Sequence, residues 1–204
     1  MKKITIITST AVPLPIENID TDQITPARFL KGITKEGFGE ILFNDWRYDH
    51  VGNEKKDFIL NNPKYTGKIL VAGKNFGCGS SREHAAWSLK DYGFQVVVSS
   101  FFADIFKSNA LNNFLLPVTV SELFLQDLFY AIEEKSDVRI EIDLPNQLIR
   151  VPSHKMMEEF EISTYKKMCL MEGFDDVGYL LSLQRKLKQF EAKRTNDYSL
   201  TGRV

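Results

Sequence analysis

A chain of 204 residues with a formal net charge of −1 has no general electrostatic pull toward nucleic acid or an anionic membrane, and its length suits one domain, 1–204. With 43% hydrophobic residues it can bury a sizeable core, yet no apolar run approaches the ~20 residues a membrane span needs. Its two cysteines, Cys78 and Cys169, argue against a disulfide framework and against a complete metal site. Thr5, Thr8, Ser9, Thr10 and Pro13 break up any apolar leader behind the basic N-terminus, so the composition reads as a cytosolic globular protein.

In chain order, residues 3–8 read as a strand. Residues 13–30 are rich in Pro, Asn and Asp and read as an irregular surface segment, either a connector or a ligand-facing loop. Residues 31–66 combine glycines (Gly32, Gly37, Gly39, Gly52) with aromatics (Phe38, Phe43, Trp46, Tyr48), a mix that predicts an ordered excursion rather than a disordered linker. An apolar run at 69–72 then predicts a buried strand, followed by three glycines within seven residues: Gly73, Gly77 and Gly79. Ser80 and Glu83 have the spacing of a capping box, which predicts a helix from there to about Tyr92, stopped at Gly93. Val96-Val97-Val98 completes a βαβ unit, and ligands bind such units at the carboxyl ends of their strands. The loop 73–83 is therefore the predicted anion site.

Beyond it, the pattern predicts a short helix at 102–110, a strand at 114–120 and a helix at 121–135 with Phe124, Leu128, Ala131 and Ile132 on one face. Alternation at 138–144 and 147–151 around Pro145-Asn146 predicts a hairpin, with a further strand at 160–162. Residues 164–194 read as helical with a break near Gly173, and 195–204 as a frayed polar tail. Leu180, Leu183, Leu187 and Phe190 form a stripe suited to core or docking surface.

Ser80, Ser81 and Arg82 are the strongest candidates for chemistry. A serine beside an arginine at a helix start can be stabilised as an alkoxide and abstract a proton, and the guanidinium can take a carboxylate in bidentate fashion. Asp20 and Asp22 are two apart and would share one face of a strand, as a base, a metal-ligand pair or plain turn carboxylates. Cys78 between two glycines is either a thiol nucleophile, with His84 as its partner in a cysteine hydrolase, or a small packed residue. His84 is either an acid–base group or a packing residue at the helix start.

The stretches GSSREHA at 79–85 and TDQITP at 21–26 resemble the swivelling domain of the aconitase superfamily. With FGEILFNDWRY at 38–48, NFGCGSSREHA at 75–85, SFFADIF at 100–106 and NNFLLPV at 112–118, the chain resembles the small-subunit family of bacterial 3-isopropylmalate dehydratases over nearly its whole length. That resemblance implies an α/β fold, a three-layer swivelling β/β/α domain with a mostly helical C-terminal extension. It implies isomerisation of 2-isopropylmalate to 3-isopropylmalate by dehydration and rehydration in leucine biosynthesis, or a related citraconate-type or homoaconitate-type reaction. It also implies Ser80 as the base on the substrate C–H, Ser81 and Arg82 on substrate carboxylate, and Asp22 orienting a partner histidine. The family's [4Fe–4S] cluster needs three cysteines, so it is expected on the large subunit of a heterodimer or heterotetramer, with no metal or cofactor bound by this chain. Aconitases carry an arginine shortly after the Leu-Lys that follows this motif; here Leu30-Lys31 is followed by Gly32-Ile33-Thr34. The resemblance thus implies Ile33 and Thr34 as substrate-binding positions facing an isopropyl group.

Overall fold

The computed structural model describes residues 3–30 and 34–200, with side chains described as far as residue 192. Ile33, one of the predicted substrate-binding positions, lies outside the described residues.

Two four-stranded sheets organise the chain. The first strand, β1 (Ile6–Ser9), is separated by Thr10 alone from β2 (Ala11–Leu14), yet the two belong to different sheets. A short helix α1 (Thr21–Ile24) follows, then α2 (Asn44–Arg47) within the excursion. Next come β3 (Ile69–Ala72), α3 (His84–Tyr92), β4 (Val96–Ser99), α4 (Asp104–Asn112), β5 (Leu116–Thr119) and α5 (Glu122–Glu134). The hairpin strands β6 (Ile140–Asp143) and β7 (Leu148–Val151) lead to β8 (Met156–Glu159), and α6 (Thr164–Glu172), α7 (Asp176–Ser182) and α8 (Gln184–Leu200) close the described chain.

One sheet is parallel in the order β2-β3-β4-β5, and the other is antiparallel in the order β1-β6-β7-β8. A parallel sheet is covered on both faces, which is why its strands read as unbroken apolar runs. Successive side chains point to opposite sides. Ile69, Val71, Val96 and Val98 pack with α5 and the antiparallel sheet, while Leu70, Ala72 and Val97 pack with α1, α3 and α4. The layers are sheet, sheet and helix, as the resemblance implies. The parallel arrangement also turns the carboxyl ends of β2 and β3 toward one edge, where the glycine loop begins.

Three sequence expectations shift, and a fourth is narrowed. The predicted strand at 160–162 lies earlier, at β8, because Lys155 in a left-handed conformation (φ 55°) reverses the chain at once and pairs Met156 with Val151. Phe160 is instead a buried plug, 2% exposed. Residues 13–30 are less irregular than their composition suggests, since they hold the end of β2 and all of α1. Helix α8 continues to Leu200 through the segment expected to fray, in a run of Gln, Arg, Lys, Glu and Ala without Gly or Pro. Leu180, Leu187 and Phe190 are exposed, so their stripe is no part of this chain's core.

The excursion is ordered, as predicted. Phe43 and Trp46 stack with ring centroids 5.3 Å apart, and Phe58 meets both edge-on. Its centre is Arg47, only 8% exposed, whose Nη1 donates to the carbonyls of Gly39, Glu40 and Leu42 at 3.3–3.4 Å. Its Nε donates to Asn61 at 3.2 Å, and the guanidinium lies against Tyr48 and Tyr92. The arginine of the FNDWR stretch is thus a structural hub.

Candidate functional site

Two segments some sixty residues apart in sequence run side by side off the carboxyl ends of β2 and β3. Asn18 N–H donates to the Lys74 carbonyl at 2.8 Å, and the Ile19 carbonyl accepts from Gly77 at 2.7 Å and Cys78 at 3.2 Å. Thr21 N–H donates to the Cys78 carbonyl at 2.9 Å, and the Thr21 hydroxyl to the Ser80 carbonyl at 3.0 Å. Two glycines make this approach possible. Gly77 has φ +77°, and a Cβ there would stand 2.2 Å from the Phe106 ring; Gly79 has φ +88°. Both conformations are left-handed, where other residues are strained.

The aspartates divide their work. Asp20 is the N-cap of α1: its carboxylate accepts from Asp22 and Gln23 N–H at 2.7 and 2.8 Å, and Gln23 Oε1 accepts from Asp20 N–H at 2.9 Å. This capping box was readable as D-x-x-Q. The two carboxylates therefore do not act as a pair on one strand face, and among the described residues no group of three His, Cys, Asp or Glu is placed to hold a metal. Asp22 accepts from Ala27 N–H at 2.8 Å and pairs with Arg82 Nη1. The guanidinium first, and the Ala27 N–H second, hold the Asp22 carboxyl below its usual range.

Ser80 and Ser81 are exposed on the turn that follows Gly79, and Arg82 N–H closes that turn on the Ser80 carbonyl at 2.8 Å. The predicted Ser80–Glu83 capping box does not form. Helix α3 starts later, at His84, with Glu83 at its cap in helical conformation and no side-chain cap bond. Glu83 is used elsewhere: its Oε1 accepts from Asn113 Nδ2 at 2.7 Å. The Asn113 amide is the main cause of a Glu83 carboxyl held below its ordinary range, aided by the nearby charge of Lys35. Lys35 in turn donates to Asn113 Oδ1 at 2.7 Å. The capping spacing was present, but a distant amide won the carboxylate. Thr21 and Asn113 are thus contacts to the site that sequence reading missed; for Thr21 the signal was its place in the TDQITP stretch.

Cys78 and His84 take the packing role. The Cys78 thiol donates to the Asn18 carbonyl at 3.4 Å, and burial, with the nearby Asp20 charge, pushes its pKa up rather than toward a thiolate. The His84 ring packs against Trp87 at 4.5 Å and Phe38 at 5.3 Å. No thiol–imidazole dyad forms between them. Thr34 is exposed.

What this arrangement offers is an open face: two exposed hydroxyls and an arginine beside a carboxylate. A cleft of about 700 Å³ lies instead in the excursion, among Arg28, Asp45, Tyr48, His50 and Lys55, and includes none of these groups. Arg28 there is committed to Asp45, with Nη1 to Oδ2 at 3.0 Å and a second contact from Nη2.

Comparison with known proteins agrees with this geometry. The aconitase C-terminal domain model matches residues 1–123. The 3-isopropylmalate dehydratase small subunit of Cytophaga hutchinsonii is 57% identical over 198 residues, covering 97% of this chain and 98% of that protein. The protein of the same name from Azobacteroides pseudotrichonymphae is 58% identical over 192 residues, 94% of this chain and 98% of its own. A crystal structure of 3-isopropylmalate dehydratase from Methanocaldococcus jannaschii superposes with a TM-score of 0.65 at 28% identity, over 92% of this chain and 99% of that one. No helix among the described residues is long and apolar enough to cross a membrane. With its sheet–sheet–helix layers and its serine–arginine turn, this chain belongs to the 3-isopropylmalate dehydratase small-subunit family of aconitase-type hydro-lyases.

Proposed function

We propose that this chain is the small subunit of a cytoplasmic hydro-lyase that isomerises 2-isopropylmalate to 3-isopropylmalate by dehydration and rehydration in leucine biosynthesis. The observation that carries the proposal is the exposed Ser80-Ser81-Arg82 turn, held on the Asp22 segment and open on its outer side. Half of an active site is then present, and a large subunit supplies the other half.

Each residue has a role in that reading. Ser80 accepts the proton from the substrate C–H and returns it on rehydration; a nearby guanidinium favours its charged form. Arg82 spends Nη1 on Asp22, which leaves its remaining N–H donors for a substrate carboxylate, with the Ser81 hydroxyl beside them. Asp22, kept ionised by the same contact, can also hold the N–H of a partner histidine. Thr34 and Ile33 are the positions this reading assigns to the isopropyl group.

The family implies a [4Fe–4S] cluster, and this chain's residues do not fit one. Cys169 is buried in α6 and Cys78 bonds back to the Asn18 carbonyl, so two thiols on separate elements cannot supply three ligands. The cluster belongs on the large subunit.

Co-expression with the cognate large subunit, followed by an assay of 2- and 3-isopropylmalate interconversion, tests the proposal. The pair should interconvert them and this chain alone should not. Turnover by the isolated chain would overturn it, as would a pair active on citraconate-type or homoaconitate-type substrates and inert toward isopropylmalate.

A further inference from the structure

We infer that Thr21 is a positioning residue for the Ser80 base, an inference that rests on the proposed role of Ser80. Thr21 is 2% exposed, and its polar groups are all engaged. Its N–H donates to Cys78, its carbonyl accepts from Thr25 N–H at 3.0 Å, and its hydroxyl reaches across to the Ser80 carbonyl.

The Ser80 carbonyl is the unusual partner. It accepts from the Thr21 hydroxyl at 3.0 Å and from Arg82 N–H at 2.8 Å, and a carbonyl oxygen has two lone pairs. Both are therefore taken by protein donors. Because the peptide is planar, holding that oxygen also fixes the Ser81 N–H on the opposite edge and the Cα atoms of both serines. The Ser80 side chain is exposed, so its direction follows from its backbone. Gly79, just before it, offers little steric resistance to rotation. The Arg82 bond lies within the turn and moves with it, whereas Thr21 is the buried first residue of α1. Thr21 ties the exposed serines to the body of the fold.

Proton abstraction needs that tie, since a misplacement of about 1 Å can cost on the order of 10²-fold in rate. The test uses the complex assembled with the large subunit. Thr21→Val keeps the shape and removes the donor; kcat for 2-isopropylmalate should fall roughly ten- to hundredfold while KM stays within about twofold. Thr21→Ser should restore most of the rate. In the double variant with Ser80→Ala, Thr21→Val should add no further loss, because it acts through Ser80. A purely structural role would lower the amount of folded complex while leaving kcat per folded complex unchanged, and would add to the Ser80→Ala loss. Wild-type kcat in Thr21→Val overturns the inference, as does additive loss in the double variant or failure of serine to rescue. Wild-type turnover in Ser80→Ala alone overturns the base assignment and the inference with it. If the valine variant folds poorly, Thr21→Ala, which also removes the donor, carries the same comparison with the same outcomes.

Discussion

Asn113→Asp should invert the acid response of this protein. In the native chain the Asn113 amide donates to Glu83 Oε1 at 2.7 Å and to the Asn109 carbonyl at 2.8 Å, while its oxygen accepts from Lys35. Aspartate removes both donated bonds and sets a second carboxylate against the first. Two unit charges about 4 Å apart repel by about 4 kcal/mol at an effective dielectric of 20. Lys35 remains to offset part of this, and the half-buried Glu83 lets solvent screen more, so the net cost near neutral pH is about 2–3 kcal/mol.

The direction with pH is the sharper test. Native Glu83 is held below its ordinary pKa, so its contribution to stability is present above the unfolded value and is lost as pH falls through the folded one. In Asn113→Asp the pair shares a raised pKa. The folded state then binds more protons than the unfolded state, and stability falls as pH rises through that raised value. Urea unfolding of both proteins at pH 5 and pH 7 measures this: the gap between native and variant should be wide at pH 7 and narrow at pH 5, where one protonated carboxyl can donate to the other. A gap that is equal at the two pH values, or under about 0.5 kcal/mol at pH 7, would refute the Glu83–Asn113 contact as the source.

Three further outcomes are expected. Arg82→Lys in the assembled enzyme should raise KM for isopropylmalate and lower kcat/KM by about tenfold or more, since a point charge replaces a planar fork already anchored on Asp22; steady-state kinetics with an unchanged KM would count against carboxylate binding there. Arg47→Met should cost about 2–4 kcal/mol, leaving the carbonyls of Gly39, Glu40 and Leu42 without their donor, and should lower the melting temperature by about 5–15 °C in a calorimetric scan; a shift within about 1 °C would mean that solvent already serves those carbonyls. Thr34→Arg should shift the kcat/KM ratio at least tenfold toward substrates with an additional carboxylate, because a cation would face the isopropyl position; an unchanged ratio places the specificity wall elsewhere.

The sequence by itself determined whatever depends on near neighbours. The period of 3.6 placed Phe124, Leu128, Ala131 and Ile132 on the buried face of α5, and unbroken apolar runs marked β3 and β4 as strands covered on both sides. Glycines at 77 and 79 announced a backbone in left-handed conformations. Local spacing offered one capping box, Ser80–Glu83, which does not form, while the one that does form, Asp20–Gln23, went unread. D-x-x-Q at 20–23 closes because both partners lie on one turn with no competitor. S-x-x-E at 80–83 does not, because Asn113, thirty residues on, takes the Glu83 carboxylate and the Ser80 carbonyl is drawn to Thr21. Only the tertiary structure decided such contests. Parallel pairing of β2 with β3 brings residues 59 and 60 positions apart into hydrogen-bond reach, and no local period encodes that distance. The same holds for Arg47, whose carbonyl partners are near in sequence but whose burial depends on Tyr92 from α3. A side chain's type can be read from the sequence, but which of its possible partners it keeps is settled by what the fold packs beside it.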